Sequence, residues 1–260
     1  MNKEEWEKQN KERYSNPFRD IDDVMRQKET EMINSFIRYK TDKKILEVGC
    51  GDGYMLSILS MNHDRNKYWG IDYTEKMIEQ ATNRMKMNET DCHLFCDDVR
   101  TVDFPACFFD IIYSQRCLIN LFNWEEQKKA LDRIHTLLDF GGYYLLIEAF
   151  TDGLENNNKA RTESGLPSLK PSIYNTYFDK EKFFKYIQDK FIVYEVPTIQ
   201  HNFLSTHYFI SRVLHALVTK GKQVTNTEFV KFYSTLPPTG NYSPVQVYLL
   251  KKVYGEDIDE

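Results

Sequence analysis

What this chain lacks narrows it first. No run of about 18 apolar residues occurs, and the amino terminus is rich in Lys and Glu with no apolar centre, so neither a membrane-spanning helix nor a secretory leader is expected. Its five cysteines are an odd number without a paired framework and sit mostly inside apolar runs, which reads as reduced thiols in a cytoplasmic, soluble protein. Cys92-His93-x-x-Cys96 has the residue types of a metal site. Strand alternation turns His93 away from both cysteines, however, and no second ligand pair follows, so no metal is expected. A basic excess is missing too: 34 Lys and Arg stand against 39 Asp and Glu, a net charge of −5. A nucleic-acid partner would need a basic stripe to neutralise phosphates, whereas Lys43-Lys44 and Lys128-Lys129 are only short pairs. Repeats and low-complexity segments are absent, and 260 residues suffice for one large α/β domain with insertions.

What is present begins at Ile45-Leu46-Glu47-Val48-Gly49-Cys50-Gly51-Asp52-Gly53. Ile45, Leu46 and Val48 suit a strand buried on both faces, and glycines at alternate positions allow backbone angles closed to other residues. Met55, Leu56, Ile58 and Leu59 then take helical spacing, which puts free amide N–H groups and a positive dipole end at the turn. A dinucleotide fingerprint would require glycine where Tyr54 stands, and no lysine follows in phosphate-loop register. Tyr68-Trp69-Gly70-Ile71-Asp72 reads as a second strand ending in a carboxylate about 20 residues past the turn, where an acid accepting ribose hydroxyls is expected. His93 to Cys96 runs into Asp97-Asp98-Val99, and Phe109 to Tyr113 runs into Ser114. In an open parallel sheet such polar tips converge on one crevice.

These segments resemble the seven-stranded, Rossmann-like (class I) S-adenosylmethionine-dependent methyltransferases. The matches are LEVGCGDG (from Leu46), GIDYTEKM (Gly70), DVRTVDF (Asp98), FDIIYSQRCLINL (Phe109) and LLDFGGYYLLIE (Leu137), in the family's order and spacing. The likeness is good over roughly residues 40 to 150 and weak elsewhere. It implies a three-layer α/β fold with a mostly parallel sheet and an antiparallel last strand. It also implies S-adenosylmethionine as methyl donor, with S-adenosylhomocysteine as product.

By position, the resemblance gives Glu47 and the turn Gly49, Cys50, Gly51 and Gly53 the methionine end, and Asp72 with its neighbour Tyr73 the ribose. Asp98 takes the adenine amino group, with Asp97 as the competing choice, and Val99 offers its backbone N–H to the ring. Ser114 and Gln115 lie beside the methionine moiety, where the family often uses a backbone carbonyl. Arg116 departs from the aromatic or small residue common there; its guanidinium suits a carboxylate or phosphate on the acceptor, and a surface or cap role stays open.

The division expected is an N-terminal helical cap over 1–40 and a methyltransferase domain over 41–260, whose residues 41–150 hold the cofactor. Val24, Met25, Met32, Ile33, Phe36 and Ile37 make the cap's broken apolar stripe; Trp6 lies upstream, and Arg13 and Tyr14 are candidates to line its closure. After a strand at Tyr143 to Ala149, residues 150–178 read as an irregular substrate-side loop containing Gly153, Asn156 to Asn158 and Pro167. A helix follows near Asp179 to Lys190 and a strand at Ile192 to Val196; residues 197–244 read as a helical insertion before a last strand at Val245 to Val253. The insertion's first helix, Tyr208 to Val218, should carry Phe209, Val213, Leu214 and Leu217 on one face; a second spans Thr227 to Leu236.

In methyl transfer the protein mainly positions nucleophile and methyl in a dry cleft, and an alcohol acceptor also benefits from a base. Candidate bases are Glu148, His207 and His201, each equally a candidate acceptor contact or structural group, and Tyr177 joins Arg116 as a candidate acceptor contact. The neutral hydrogen-bonding composition of Asn175 to Phe178 and Ser205 to Tyr208 suits a sugar, sugar nucleotide or other polyol, hence O-methylation of a hydroxylated small molecule. The downstream half also resembles bacterial methyltransferases of glycan and natural-product pathways. An N-methyltransferase of a small amine and a non-catalytic S-adenosylmethionine-binding regulatory or partner protein are the alternatives, and the oligomeric state is left open.

Overall fold

The computed structural model describes residues 22–221 and 225–253. Trp6, Arg13, Tyr14 and most of the expected cap therefore lie outside the described residues.

Short apolar runs become one sheet. The strands β1 (Lys44–Val48), β2 (Lys67–Asp72), β3 (His93–Cys96), β4 (Phe109–Gln115), β5 (Leu138–Ala149), β6 (Phe191–Val193) and β7 (Val245–Lys252) lie in the order β3-β2-β1-β4-β5-β7-β6. The first five pair in parallel, and β7 runs antiparallel to both β5 and β6. Helices α1 (Asp23–Ile37), α2 (Tyr54–Asn62), α3 (Glu75–Met87) and α4 (Trp124–Leu137) accompany the parallel half. Ile45, Leu46, Ile112, Leu145 and Leu146 are fully buried, which explains why these strands are apolar without alternation. Burying each such side chain contributes about 1.5–3 kcal/mol.

Strand order reverses between β1, which leads to β2 on one side, and β4 on the other. The crevice outside their carboxyl ends is where an open α/β sheet binds ligands.

The structure corrects three readings. β5 starts at Leu138, its pairing with β4 shifting register between Phe109 and Ile111 to absorb the Asp139-Phe140-Gly141-Gly142 segment. The segment after Phe150 is not all irregular, because Thr151–Glu163 forms helix α5. Gly153 is required there: a Cβ would stand 1.9 Å from the Ser243 carbonyl oxygen. The asparagines that suggested turns instead donate to distant carbonyls, Asn156 to Asn241 at 3.1 Å and Asn157 to Tyr242 at 3.0 Å. After α6 (Lys180–Ile187), the insertion's first helix runs as α7 (Ser205–Phe209), a π-helical stretch (Ile210–Leu214) and α8 (His215–Val218). The wider turn re-aims its faces, so Ile210, Val213 and Ala216 are buried while Leu214 and Leu217 are exposed. A last short helix, α9 (Glu228–Tyr233), is capped by Thr227.

Candidate functional site

The three turn glycines all have positive φ (75°, 53° and 73° for Gly49, Gly51 and Gly53), but for different reasons. A Cβ on Gly49 would meet Cys117 Sγ at 2.4 Å, and one on Gly53 would meet Met85 and Ala81 of α3 at 2.8 and 2.9 Å. On Gly51 it would meet nothing within 4 Å. Gly49 and Gly53 are therefore glycines because of packing, whereas Gly51 faces the open floor of a cavity of about 640 Å³. That volume lies within the roughly 300–1,000 Å³ of small-molecule sites.

Sequence-nominated residues gather on this cavity: Gly49, Gly51, Asp72, Tyr73, Asp97, Asp98, Val99, Gln115, Arg116 and Tyr177 all line it. Asp72 Oδ2 accepts the Gly51 amide at 3.0 Å, and Oδ1 accepts the Thr74 amide and hydroxyl, each at 2.9 Å. Burial raises its pKa. A carboxylate offers about four lone-pair sites, so room remains for two ribose hydroxyls. Asp98 is gripped by Arg100, whose Nε lies 2.8 Å from Oδ1 and which also pairs with Glu126. Asp97 Oδ1 accepts the Asp98 amide at 2.7 Å. Ile71, Met77 and Val99 add apolar wall. An open glycine floor, a ribose-type acid and an apolar slot with paired aspartates fit the donor.

The other half of the cavity is built from residues far apart in sequence. Arg116 follows β4 with φ 53°, unusual for a residue with a side chain. Its amide donates to Ile147 O at 2.8 Å and its carbonyl accepts from Asn120 at 2.8 Å. Asn175 in turn donates to Asn120 Oδ1 at 2.8 Å, and Tyr177, Tyr208 and Met25 complete this wall. The bridge between Phe150 and Phe178 closes the base of the loop that carries Asn175 and Tyr177.

Beneath it lies Glu29, fully buried on α1. Its Oε2 accepts from Gln115 at 2.6 Å and Arg116 Nη2 at 3.0 Å, and its Oε1 faces Arg116 Nε at 3.0 Å out of hydrogen-bond alignment. Burial raises the pKa of Glu29 against the pull of Arg116. Burial also opposes the charge of Arg116, but Glu29 beside it holds that group above its ordinary range. Sequence reading missed Glu29. The available signal was an acid in helical register with Met25, Met32, Ile33 and Phe36, since a charge on a buried face must find a partner.

Seven nominated residues do not line the cavity. Glu47 is buried under the turn, accepting from Tyr113 at 3.0 Å and from the Leu56 amide at the start of α2, with its pKa raised well above the ordinary value by burial. Cys50 and Gly53 face the protein interior. Ser114 is fully buried between Tyr144 and Glu148, each 2.8 Å away. Glu148 accepts the Cys117, Leu118 and Ile119 amides at 3.0, 2.9 and 3.2 Å and has no exposure, the arrangement of a satisfied strand-end carboxylate. His207 is locked at 2.9 Å from both Asp22 and Ser234, fully buried. His201 stacks on Tyr248 instead of facing the cavity. Among the described residues no group of three or more His, Cys, Asp and Glu could hold a metal, and no helix is long and apolar enough to cross a membrane.

Sheet order, antiparallel β7 and the glycine turn under a nucleotide-sized cavity define a class I, Rossmann-like methyltransferase fold. Residues 45–142 match the model of a family described as a methyltransferase domain. Curated relatives agree over this half. An uncharacterized methyltransferase, YdaC of Bacillus subtilis (strain 168), is 32% identical over 98 residues, 38% of this chain and 51% of its own. A malonyl-[acyl-carrier protein] O-methyltransferase of Paenibacillus sp. (strain JDR-2) is 27% identical over 129 residues, 46% of this chain and 45% of its own. The chain thus spans about half the length of the curated relatives it matches. The solved S-adenosylmethionine-dependent methyltransferase of Clostridium acetobutylicum ATCC 824 shares the fold, with a TM-score of 0.57 at 12% identity over 88% of this chain and 92% of that one.

Proposed function

We propose that this protein transfers the methyl group of S-adenosylmethionine to an oxygen of a small-molecule acceptor. The observation that carries this reading is the single cavity with two unlike halves. One half offers the open Gly51 floor, Asp72 and the Asp97–Val99 slot; the other offers Arg116, Asn175, Tyr177 and Tyr208. When bound, the donor supplies a methyl group on a positively charged sulfur. Asp72 would hold its ribose hydroxyls, the backbone at Gly49, Gly51 and Gln115 its amino-acid end, and Asp97 with Val99 its base.

The protein's contribution is placement and exclusion of water, which can supply most of the acceleration. Neutral hydroxyl and amide groups on the acceptor wall support the expectation of an oxygen-rich acceptor. The relative named as an O-methyltransferase points the same way. Five cysteines, none of them in a disulfide, suit action in a reducing, cytoplasmic compartment.

Calorimetry with S-adenosylmethionine, S-adenosylhomocysteine and NAD tests the donor. Binding of the first two and not the third is expected; tight NAD binding alone would sink the reading. Donor binding with no methyl transfer to any cellular small molecule would instead favour a binding or partner role.

A further inference from the structure

Cations line the cavity at two places among the described residues, Arg100 and Arg116, and they are used differently. Arg100 is spent on Asp98 and Glu126. Arg116 donates Nη2 to Glu29 and holds Nε within ion-pair distance of it, while its Nη1 has no partner among the described residues, and 32% of the side chain is exposed. One donor-bearing edge of a fixed guanidinium is left facing the acceptor half.

We propose that the acceptor is a carboxylic acid, that its carboxylate docks on the free edge of Arg116, and that one of its oxygens is the atom methylated. The proposal rests on the methyl-transfer reading above. The carboxylate oxygen forms the new C–O bond while the donor's C–S bond breaks and its electron pair stays on sulfur. No proton moves, because a carboxylate is ionised well below neutral pH.

That chemistry suits this site, because none of the three side chains nominated as bases lines the cavity: Glu148 caps backbone amides, His207 is locked between Asp22 and Ser234, and His201 stacks on Tyr248. Burial raises the pKa of Tyr177 and pushes Tyr208 up to about 12, so both phenols stay protonated as donors. Among the described residues the Tyr208 hydroxyl is held only by the thioether of Met25 at 3.6 Å, a weak acceptor it can leave for an anion. Glu29 already neutralises much of the guanidinium charge. What remains suits a single planar negative charge better than a phosphate dianion.

The fixed backbone of Arg116 favours this role. A positive φ held by the hydrogen bonds to Ile147 and from Asn120 sets where the guanidinium stands.

The test uses tritium-labelled methyl donor and a deproteinised small-molecule cell extract, with products then treated with alkali. Methyl esters release labelled methanol, whereas methyl ethers and methylamines keep the label. Label released by alkali is expected. Alkali-stable label would overturn the carboxylate proposal and leave methyl transfer standing; no label in any fraction, with donor binding shown by calorimetry, would overturn both. Arg116→Gln, made alone and with Glu29→Gln so that no buried charge is left unpaired, should raise the half-saturating extract concentration about tenfold or more. Calorimetric affinity for S-adenosylhomocysteine should stay within about twofold. Loss of that affinity with unchanged acceptor saturation would assign Arg116 to the donor and overturn the proposal.

Discussion

Glu148, at the end of β5, accepts the Leu118 amide at 2.9 Å, and with the Cys117 and Ile119 amides it closes the turn that follows β4. The turn it braces carries Arg116 and Asn120 into the cavity. A carboxylate at a strand tip thus braces one wall of the cavity.

Its burial has a pH signature. Desolvation pushes Glu148 up to about 7 from an ordinary 4.5, against the pull of its donors. The folded state then holds this proton more tightly than the unfolded state, so the contribution is full below pH 4.5 and is lost as pH rises through about 7. Glu148→Gln lacks this term. The stability lost on substitution should be about 2–3 kcal/mol larger at pH 5 than at pH 8, read from urea midpoints. A difference independent of pH would show that the carboxylate is ionised throughout.

Gly51→Ala and Gly53→Ala should fail in different ways. At Gly51 a methyl group enters open space at positive φ, costing about 1 kcal/mol of stability but obstructing the floor proposed to hold the donor. At Gly53 it meets Ala81 and Met85, so the melting temperature should fall further while the remaining folded protein still binds. Calorimetry alongside thermal denaturation separates the two, and equal donor affinity in Gly51→Ala would remove the turn from the site.

Asp72→Ala should weaken S-adenosylhomocysteine binding by about 1–3 kcal/mol, the scale for losing hydrogen bonds to a charged group. Part of that loss comes through the Gly51 amide, which Asp72 holds at 3.0 Å. Unchanged affinity would mean that the ribose lies elsewhere.

His207 bridges Asp22, where α1 begins, to Ser234, just beyond α9. Burial works against the charge of Asp22, but His207 and Arg212 hold its pKa below the usual carboxylate value. His207→Ala should cost about 2–4 kcal/mol in chemical denaturation, since it opens a cavity and strands two buried partners. The pH dependence of kcat should keep its shape. Retained stability with a lost pH limb would return His207 to a catalytic role.

The fold of the cofactor half was legible because its signals are local. Apolar runs at Ile45, Tyr68, His93 and Phe109 end in polar tips within a few residues, and glycines at alternate positions allow the positive φ that all three adopt. Gly49, Gly51, Asp72, Tyr73, Asp97, Asp98 and Val99 could therefore be nominated from sequence, and all reach the cavity.

The roles of Glu29, Glu47 and Glu148 could not be read that way. A carboxylate's role depends on which donors surround it, and theirs come from Arg116, Tyr113 and Ser114, positions 87, 66 and 34 residues away. Helix α5 was hidden for the same reason: its glycine and asparagines have weak helix propensity, offset by contacts with Ser243, Asn241 and Tyr242. Sequence alone determined the strands of the parallel half up to β4 and the glycine floor of the cavity, through backbone preferences and burial patterns that act over a few residues. Only the tertiary structure decided which charged groups face the cavity, because burial and pairing are properties of the packed chain.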